Sequence, residues 1–387
     1  MKNITVKTTF TAIAALFFAT SLYATDMKSN EMSMAKDSMP MTKDSMPMTK
    51  DAMPMQNDKM ASDGMMKSHD MKSHDMKMDN MKSEGMKSNK MKSDKMKAKE
   101  MKKKTKTMKD ILSEIIAHKR IEIEQQKQAV SLSQLQEQAA AMMQEAVGTG
   151  ASGTTSVRSM KRALANSSSG IIAEFKRRSP SKGWIKESAQ ADLIPPAYET
   201  AGASALSILT DEKFFGGALR DIRTARPLVN IPILRKDFII DKYQLLQARI
   251  VGADAVLLIA ACLTPDECHT LTMQAHELGL EVLLEVHSTS ELSYIYKETD
   301  MVGVNNRNLG SFVTNIENSF RIAEELKNAV AEIDFQTPPL LVSESGISHP
   351  ETIRELRSAG FRGFLMGETF MRTDDPGSTL EELIHGI

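Results

Sequence analysis

From Gly170 to the C-terminus, short apolar runs alternate with segments whose apolar residues recur at helical spacing. The runs cover residues 170–175, 204–209, 231–235, 254–259, 281–286, 301–305, 339–343 and 362–366. The helical patterns fall near 189–201, 216–229, 241–251, 265–278, 288–297, 316–329, 348–358 and 376–385. A continuous apolar run of this length reads as a strand buried on both faces. Parallel neighbours of that kind need a crossover, usually a helix. Eight βα units in succession predict an α/β fold, a (β/α)8 TIM barrel. A doubly wound open sheet is the competing architecture, but no GxGxxG follows the first run.

Extra helices precede the barrel. MKDILSEIIAHKRIEIEQQK (108–127) places Ile111, Leu112, Ile115, Ile116 and Ile123 on one helical face. A second helix is expected over 131–147, ended by Gly148, with a linker at 149–156 and a short helical turn at Lys161–Leu164.

The strand-like runs end in polar clusters, each of a different kind: GIIAEFKRRSPS (170–181), ILRKDF (233–238), LLEVH (283–287), VGVNNRNL (302–309), LVSESGIS (341–348) and FLMGE (364–368). In a parallel barrel the carboxyl ends of the strands carry the catalytic groups, and their loops bind phosphate. A lysine or glutamate at one strand end is usually a surface charge, and Glu174 and Lys176, two apart, could simply form a salt bridge. Recurrence at the ends of strands 1, 3, 5, 6 and 7 is the informative signal.

That series, in that order, resembles indole-3-glycerol phosphate synthase; IAEFKRRSPSKG together with KDF is the specific part, and the likeness runs from about Met108 to the C-terminus. The resemblance implies a carboxy-lyase of tryptophan biosynthesis that needs no metal or organic cofactor. Its substrate would be 1-(2-carboxyphenylamino)-1-deoxyribulose 5-phosphate, closed to an indole with loss of carbon dioxide and water. By the same resemblance Lys236 matches the general acid and Lys176 a second active-site lysine. Glu285 matches the carboxylate that acts as base or stabilises charge on nitrogen, and Glu174 a second family carboxylate. Asn305 matches an orienting amide, and Glu344 and Ser345 the pair after strand 7. Arg307 resembles an arginine near the substrate, whereas Asn308 stands where aspartate is common. A Lys236 ammonium among other cations in a desolvated pocket is expected to have a lowered pKa, suiting proton delivery.

Phosphate is expected at Ser179, at Gly346 and Ile347, and at Gly367 and Glu368, because glycines let backbone N–H groups approach an anion closely. Phe238 is a candidate wall for the anthranilate ring, and Trp184 is equally consistent with such a wall and with a core or loop-packing role. The alternative barrel enzyme is phosphoribosylanthranilate isomerase, which relies on a cysteine at the end of strand 1. Here strand 1 ends in Glu174 and Lys176, and the two cysteines, Cys262 and Cys268, lie elsewhere. Their C-x5-C spacing lacks a second pair for zinc, so idle thiols suited to a reducing cytoplasm are expected. Association with other tryptophan-pathway enzymes is a further expectation of the resemblance.

The first hundred residues need their own account. Lys2 and Lys7 precede an apolar stretch, Phe10–Leu22, with Ala24 as a cleavage position, the layout of a secretory signal over 1–24. Residues 25–107 repeat KDSMPMT and then a five-residue Met/Lys/Ser unit; they carry 19 lysines against 13 acids and no Leu, Ile, Val or aromatic residue. Such a segment cannot bury enough apolar surface to fold, so disorder is expected. Of the chain's 29 methionines, 22 precede residue 109, with His69 and His74 among them. These are soft ligands that suit Cu(I), and a metal-buffering role and an idle repeat are equally consistent with the pattern. An exported metal-binding protein is thus the competing reading for the tail, although the substrate of the barrel would be cytoplasmic. Residues 108–387 carry 28 basic against 37 acidic side chains, so nucleic acid is not an expected partner and neither is a membrane.

Overall fold

The computed structural model describes residues 111–148, 158–308 and 313–387. The signal-like segment, the repeat region and the 149–156 linker lie outside the described residues. Eight parallel strands close into a barrel: β1 (Ile171–Phe175), β2 (Ala205–Leu209), β3 (Ile233–Lys236), β4 (Ala255–Ile259), β5 (Glu281–Val286), β6 (Met301–Asn305), β7 (Leu340–Glu344) and β8 (Gly363–Met366). Each pairs with its sequence neighbours, and β8 returns to β1 through Ile171↔Phe364 and Ile172↔Leu365. All eight expected strands are present, within two residues of their expected ends.

Leu234, Leu257, Leu283, Val342 and Leu365 belong to the cluster that fills the barrel interior. At its N-terminal face, the expected short turn is a helix, Met160–Ala165, that puts Met160 and Leu164 into the same cluster. Ser159 caps this helix and also reaches Glu281 Oε1 at 2.5 Å, so the plug is tied to the start of β5.

Helices 111–129 and Leu132–Gly148 precede the barrel as expected. The first is anchored by Lys119, only 1% exposed, whose ammonium lies 2.8 Å from Glu122, 3.0 Å from Asp211 and 3.0 Å from Asp237. Asp237 also meets Arg235 at 3.0 Å. A charge buried this deeply needs such partners. The helix is thereby fixed over the carboxyl ends of β2 and β3.

The crossovers depart from expectation in three places. The helix expected from 189 begins at Ile194, because Pro195 and Pro196, which lack N–H groups, fit only its first turn. The helix expected over 216–229 is split into Glu212–Phe215, Leu219–Ala225 and a 3-10 turn, Arg226–Leu228. Gly216, at φ 66°, ends the first piece in a left-handed cap. Over 288–297 there is only a 3-10 turn, Thr289–Tyr294. Serines compete for backbone groups there, and the Glu291 carboxylate folds back to accept from the His287 N–H at 2.5 Å. A short helix after β8, Glu368–Met371, has no counterpart in the sequence reading.

Candidate active site

A cavity of about 500 Å3 opens at the carboxyl ends of the strands. It is lined by Glu174, Lys176, Ser179, Lys236, Phe238, Glu285, Asn305, Arg307, Glu344, Ser345, Gly346, Ile347, Gly367 and Glu368. The barrel therefore brings together every catalytic and phosphate-binding candidate from strands 1, 3, 5, 6, 7 and 8.

At its floor, Lys236 Nζ lies 3.5 Å from Glu285 Oε2 and 3.7 Å from Glu344 Oε2. Lys176 Nζ donates to Glu174 Oε1 at 2.5 Å, so the salt bridge suggested by their spacing exists, and it exists inside the cavity. Asn305 Nδ2 donates to Glu285 Oε1 at 3.0 Å. Two glycines make room for this density of carboxylates. A Cβ on Gly303 would collide with Glu344 Oε1, and one on Gly367 would lie 2.8 Å from Glu174 Oε1. Ser345, at φ 70°, is the only described non-glycine residue in the left-handed region, a strained position at the exit of β7.

The electrostatics correct one expectation. Burial works to lower the Lys236 pKa, but Glu285, Glu344 and Glu174 outweigh it and hold the ammonium above the ordinary lysine range. Its near neighbours are acids rather than cations. Burial also works to raise Glu285, and is outweighed by Lys236, His287 and Asn305, so this carboxylate sits below the usual range. Glu344 goes the other way: burial, reinforced by Glu285, pushes it up to about 8. The floor thus holds one firmly ionised carboxylate, one carboxyl poised to keep its proton at neutral pH, and a charged ammonium facing both.

The rim is more basic. Glu368 is met by Arg372 at 2.6 Å, Lys182 at 3.3 Å and Arg307 at 3.5 Å, and Arg307 also donates to Ser181 Oγ at 3.1 Å. Lys182 and Arg372 were not singled out in the sequence; each sits in a loop whose approach to the cavity depends on the closed barrel. Of the apolar wall, Phe238 was expected and the rest was missed. Ile111, Leu112 and Ile115 line it, with Phe215 and Phe238, whose ring centroids are 5.9 Å apart. The signal was present in the apolar stripe of the first helix, which had no assigned partner. Trp184 does not reach the cavity; it is exposed, with Arg178 stacked over its ring at 5.5 Å. Asn308 does not line it either.

Among the described residues, both cysteines are free thiols, and no helix is long and apolar enough to cross a membrane.

A closed parallel barrel with lysines and carboxylates converging at its carboxyl end, under a basic rim, is the site of a (β/α)8-barrel enzyme that handles an anionic substrate. The family profile described as indole-3-glycerol phosphate synthase matches residues 112–383. The indole-3-glycerol phosphate synthase of Bacteroides thetaiotaomicron is 63% identical over 280 residues, 72% of this chain and 100% of its own length. That of Acidithiobacillus ferrooxidans is 41% identical over 277 residues, 71% of this chain and 99% of its own. The chain belongs to the indole-3-glycerol phosphate synthase family.

Proposed function

We propose that residues 108–387 close 1-(2-carboxyphenylamino)-1-deoxyribulose 5-phosphate to indole-3-glycerol phosphate, with Lys236 as general acid and Glu285 as base. The observation that carries the reading is the pair itself, an ammonium and an ionised carboxylate 3.5 Å apart at the cavity floor. The aromatic carbon bearing the carboxylate attacks the ketone, and Lys236 protonates the ketone oxygen. Carbon dioxide leaves, which restores the ring. The new hydroxyl then departs as water with a proton from Lys176, while Glu285 removes a proton from the methylene carbon beside the nitrogen and the indole double bond forms.

The remaining groups position the substrate, and the reaction depends on folding a flexible sugar chain back onto the aniline. Lys176 meets the substrate carboxylate, with Glu174 holding the lysine in place. Ile111, Leu112, Ile115 and Phe238 flank the anthranilate ring. Ser179, Arg307 and the backbone N–H groups of Gly346 and Gly367 receive the phosphate, the usual barrel location for that group. The bond from Arg307 N–H to Asn305 Oδ1 at 3.0 Å links the phosphate end to the amide that orients Glu285. The isomerase reading finds no support in the site, since Cys262 and Cys268 do not line the cavity.

The Met/Lys-rich repeat takes no part in this scheme, and the reaction is cytoplasmic, where its substrate is made. A chain of residues 108–387 should convert the substrate to a fluorescent indole with chelator present, at the kcat and KM of the full chain. Inactivity of that shorter chain, or loss of turnover on chelation, would contradict the assignment. A peptide of residues 25–107 should bind Cu(I) in preference to Zn(II) if it binds metal, because thioether sulfur is soft.

A further inference from the structure

His287 closes the LLEVH segment, does not line the cavity, and has no part in the scheme above. Its ring is wedged between two carboxylates, with Nε2 3.0 Å from Glu285 Oε1 and Nδ1 3.6 Å from Glu291 Oε2. The side chain is 11% exposed, and the segment is held by the Glu291 bond to the His287 N–H and by Asn318 Nδ2 donating to the His287 carbonyl at 3.3 Å. An imidazole with a carboxylate against each nitrogen is stable when both nitrogens carry protons. Burial opposes that charge, but Glu285 and Glu291 outweigh burial and raise the ring to about 9.

The contact divides the two oxygens of Glu285. Oε1 accepts from Asn305 and lies beside His287 Nε2, a charge contact not aligned as a hydrogen bond, on the scaffold side. Oε2 faces Lys236 and accepts no hydrogen bond from the described residues. The other ionisable groups around Glu285 are Glu344 from β7 and Cys262 after β4, and burial beside Glu285 and Glu291 drives that thiol up to about 12, so it stays neutral. On the scaffold side, His287 is therefore the charge that acts on Glu285, adding to the larger effect of Lys236 across the cavity floor.

We propose that His287 is a positioning residue for Glu285. As an imidazolium beside Oε1 it holds that oxygen's charge on the scaffold side with Asn305, leaves Oε2 for the substrate, and keeps the carboxylate ionised through the acid side of the working range. It also biases the proton shared among the floor carboxylates towards Glu344. This rests on the reading of Glu285 as the base. The sign is fixed: removing a cation beside a carboxylate makes it easier to protonate, so the acid limb of the rate profile must move to higher pH.

The test is the pH dependence of kcat/KM for the full chain and its His287→Asn, His287→Lys and Glu285→Gln variants. His287→Asn should move the acid limb up by about one pH unit, with activity recovering towards wild type above it. His287→Lys, which restores a cation, should bring the limb back towards the wild-type position. An unmoved acid limb in His287→Asn, or an equal loss at every pH, would overturn the inference. Should that variant not fold, the His287 ring resonances of the wild-type chain give the answer by NMR. A ring protonated at pH 7 that titrates lower in Glu285→Gln supports the proposal, and a neutral ring at pH 7 overturns it. Glu285→Gln that still turns over would instead sink the assignment of the base. Inactive Glu285→Gln with an unmoved His287→Asn profile would sink the positioning role alone.

Discussion

Lys236 Nζ and Glu285 Oε2 stand 3.5 Å apart at the carboxyl ends of β3 and β5, so the proposed acid and base hold one another's charge before either meets a substrate. Glu344, 3.7 Å away on β7, completes the arrangement as the carboxyl that burial drives towards neutrality. A ketone oxygen arriving at Lys236 replaces a strong ionic partner with a weak one. This favours giving up the proton as negative charge develops on that oxygen.

Gly303 allows the cluster to exist, since a Cβ there would collide with Glu344 Oε1 and lie 3.2 Å from Leu283 Cδ1. Gly303→Ala should destabilise the barrel by about 1–3 kcal/mol through overpacking. The denaturant midpoint should fall, and kcat should fall with it as Glu344 is turned out of place. A variant as stable and as active as wild type would show that the Glu344 carboxyl does not need this space.

Glu344 also predicts a pH dependence of stability. Its folded-state value, about 8, lies above that of an ordinary glutamate, so between those values the folded chain keeps a proton that the unfolded chain has released. Its contribution is therefore fully present at low pH and is lost as pH rises through about 8. Denaturant midpoints of wild type and Glu344→Gln should diverge over that window, with wild type losing ground as pH rises. Parallel curves would mean that Glu344 titrates normally.

Lys119 anchors the helix that supplies Ile111, Leu112 and Ile115 to the cavity wall. Lys119→Met leaves Asp211 and Asp237 buried without their cation, a change that costs about 3–5 kcal/mol for a broken buried pair. The unfolding midpoint should drop accordingly, and KM should rise as the helix loosens over the cavity. Unchanged stability would mean that the two aspartates find other partners.

Much of this was legible in the sequence because a parallel barrel places its strand ends on one rim. The order EFK, RKD, LLEV, VNN, SESG and MGE names the groups, and the fold needs only to close for them to converge. What was not legible depends on distances between strands. Lys236 was expected among cations because Lys176 is another lysine of the same rim, yet Lys176 is engaged by Glu174, and the groups nearest Lys236 are carboxylates from β5 and β7. His287 looked like the tail of a strand motif until its ring was seen between Glu285 and Glu291. Trp184 left two roles open, since a large apolar ring near the RSPSKG loop can bind or pack; its hairpin, Arg178–Ser179 with Gly183–Trp184, leaves the indole on the surface.

The most direct test of the acid–base assignment is kcat for Lys236→Met, followed by indole fluorescence under saturating substrate. Asp237, the acid that follows β3, also lines the cavity, but its carboxylate is held by Lys119 and Arg235. Turnover should fall by orders of magnitude, with substrate still bound through the phosphate loops. A variant that keeps more than about a tenth of the wild-type kcat, under ~1.4 kcal/mol in the barrier, would contradict the assignment.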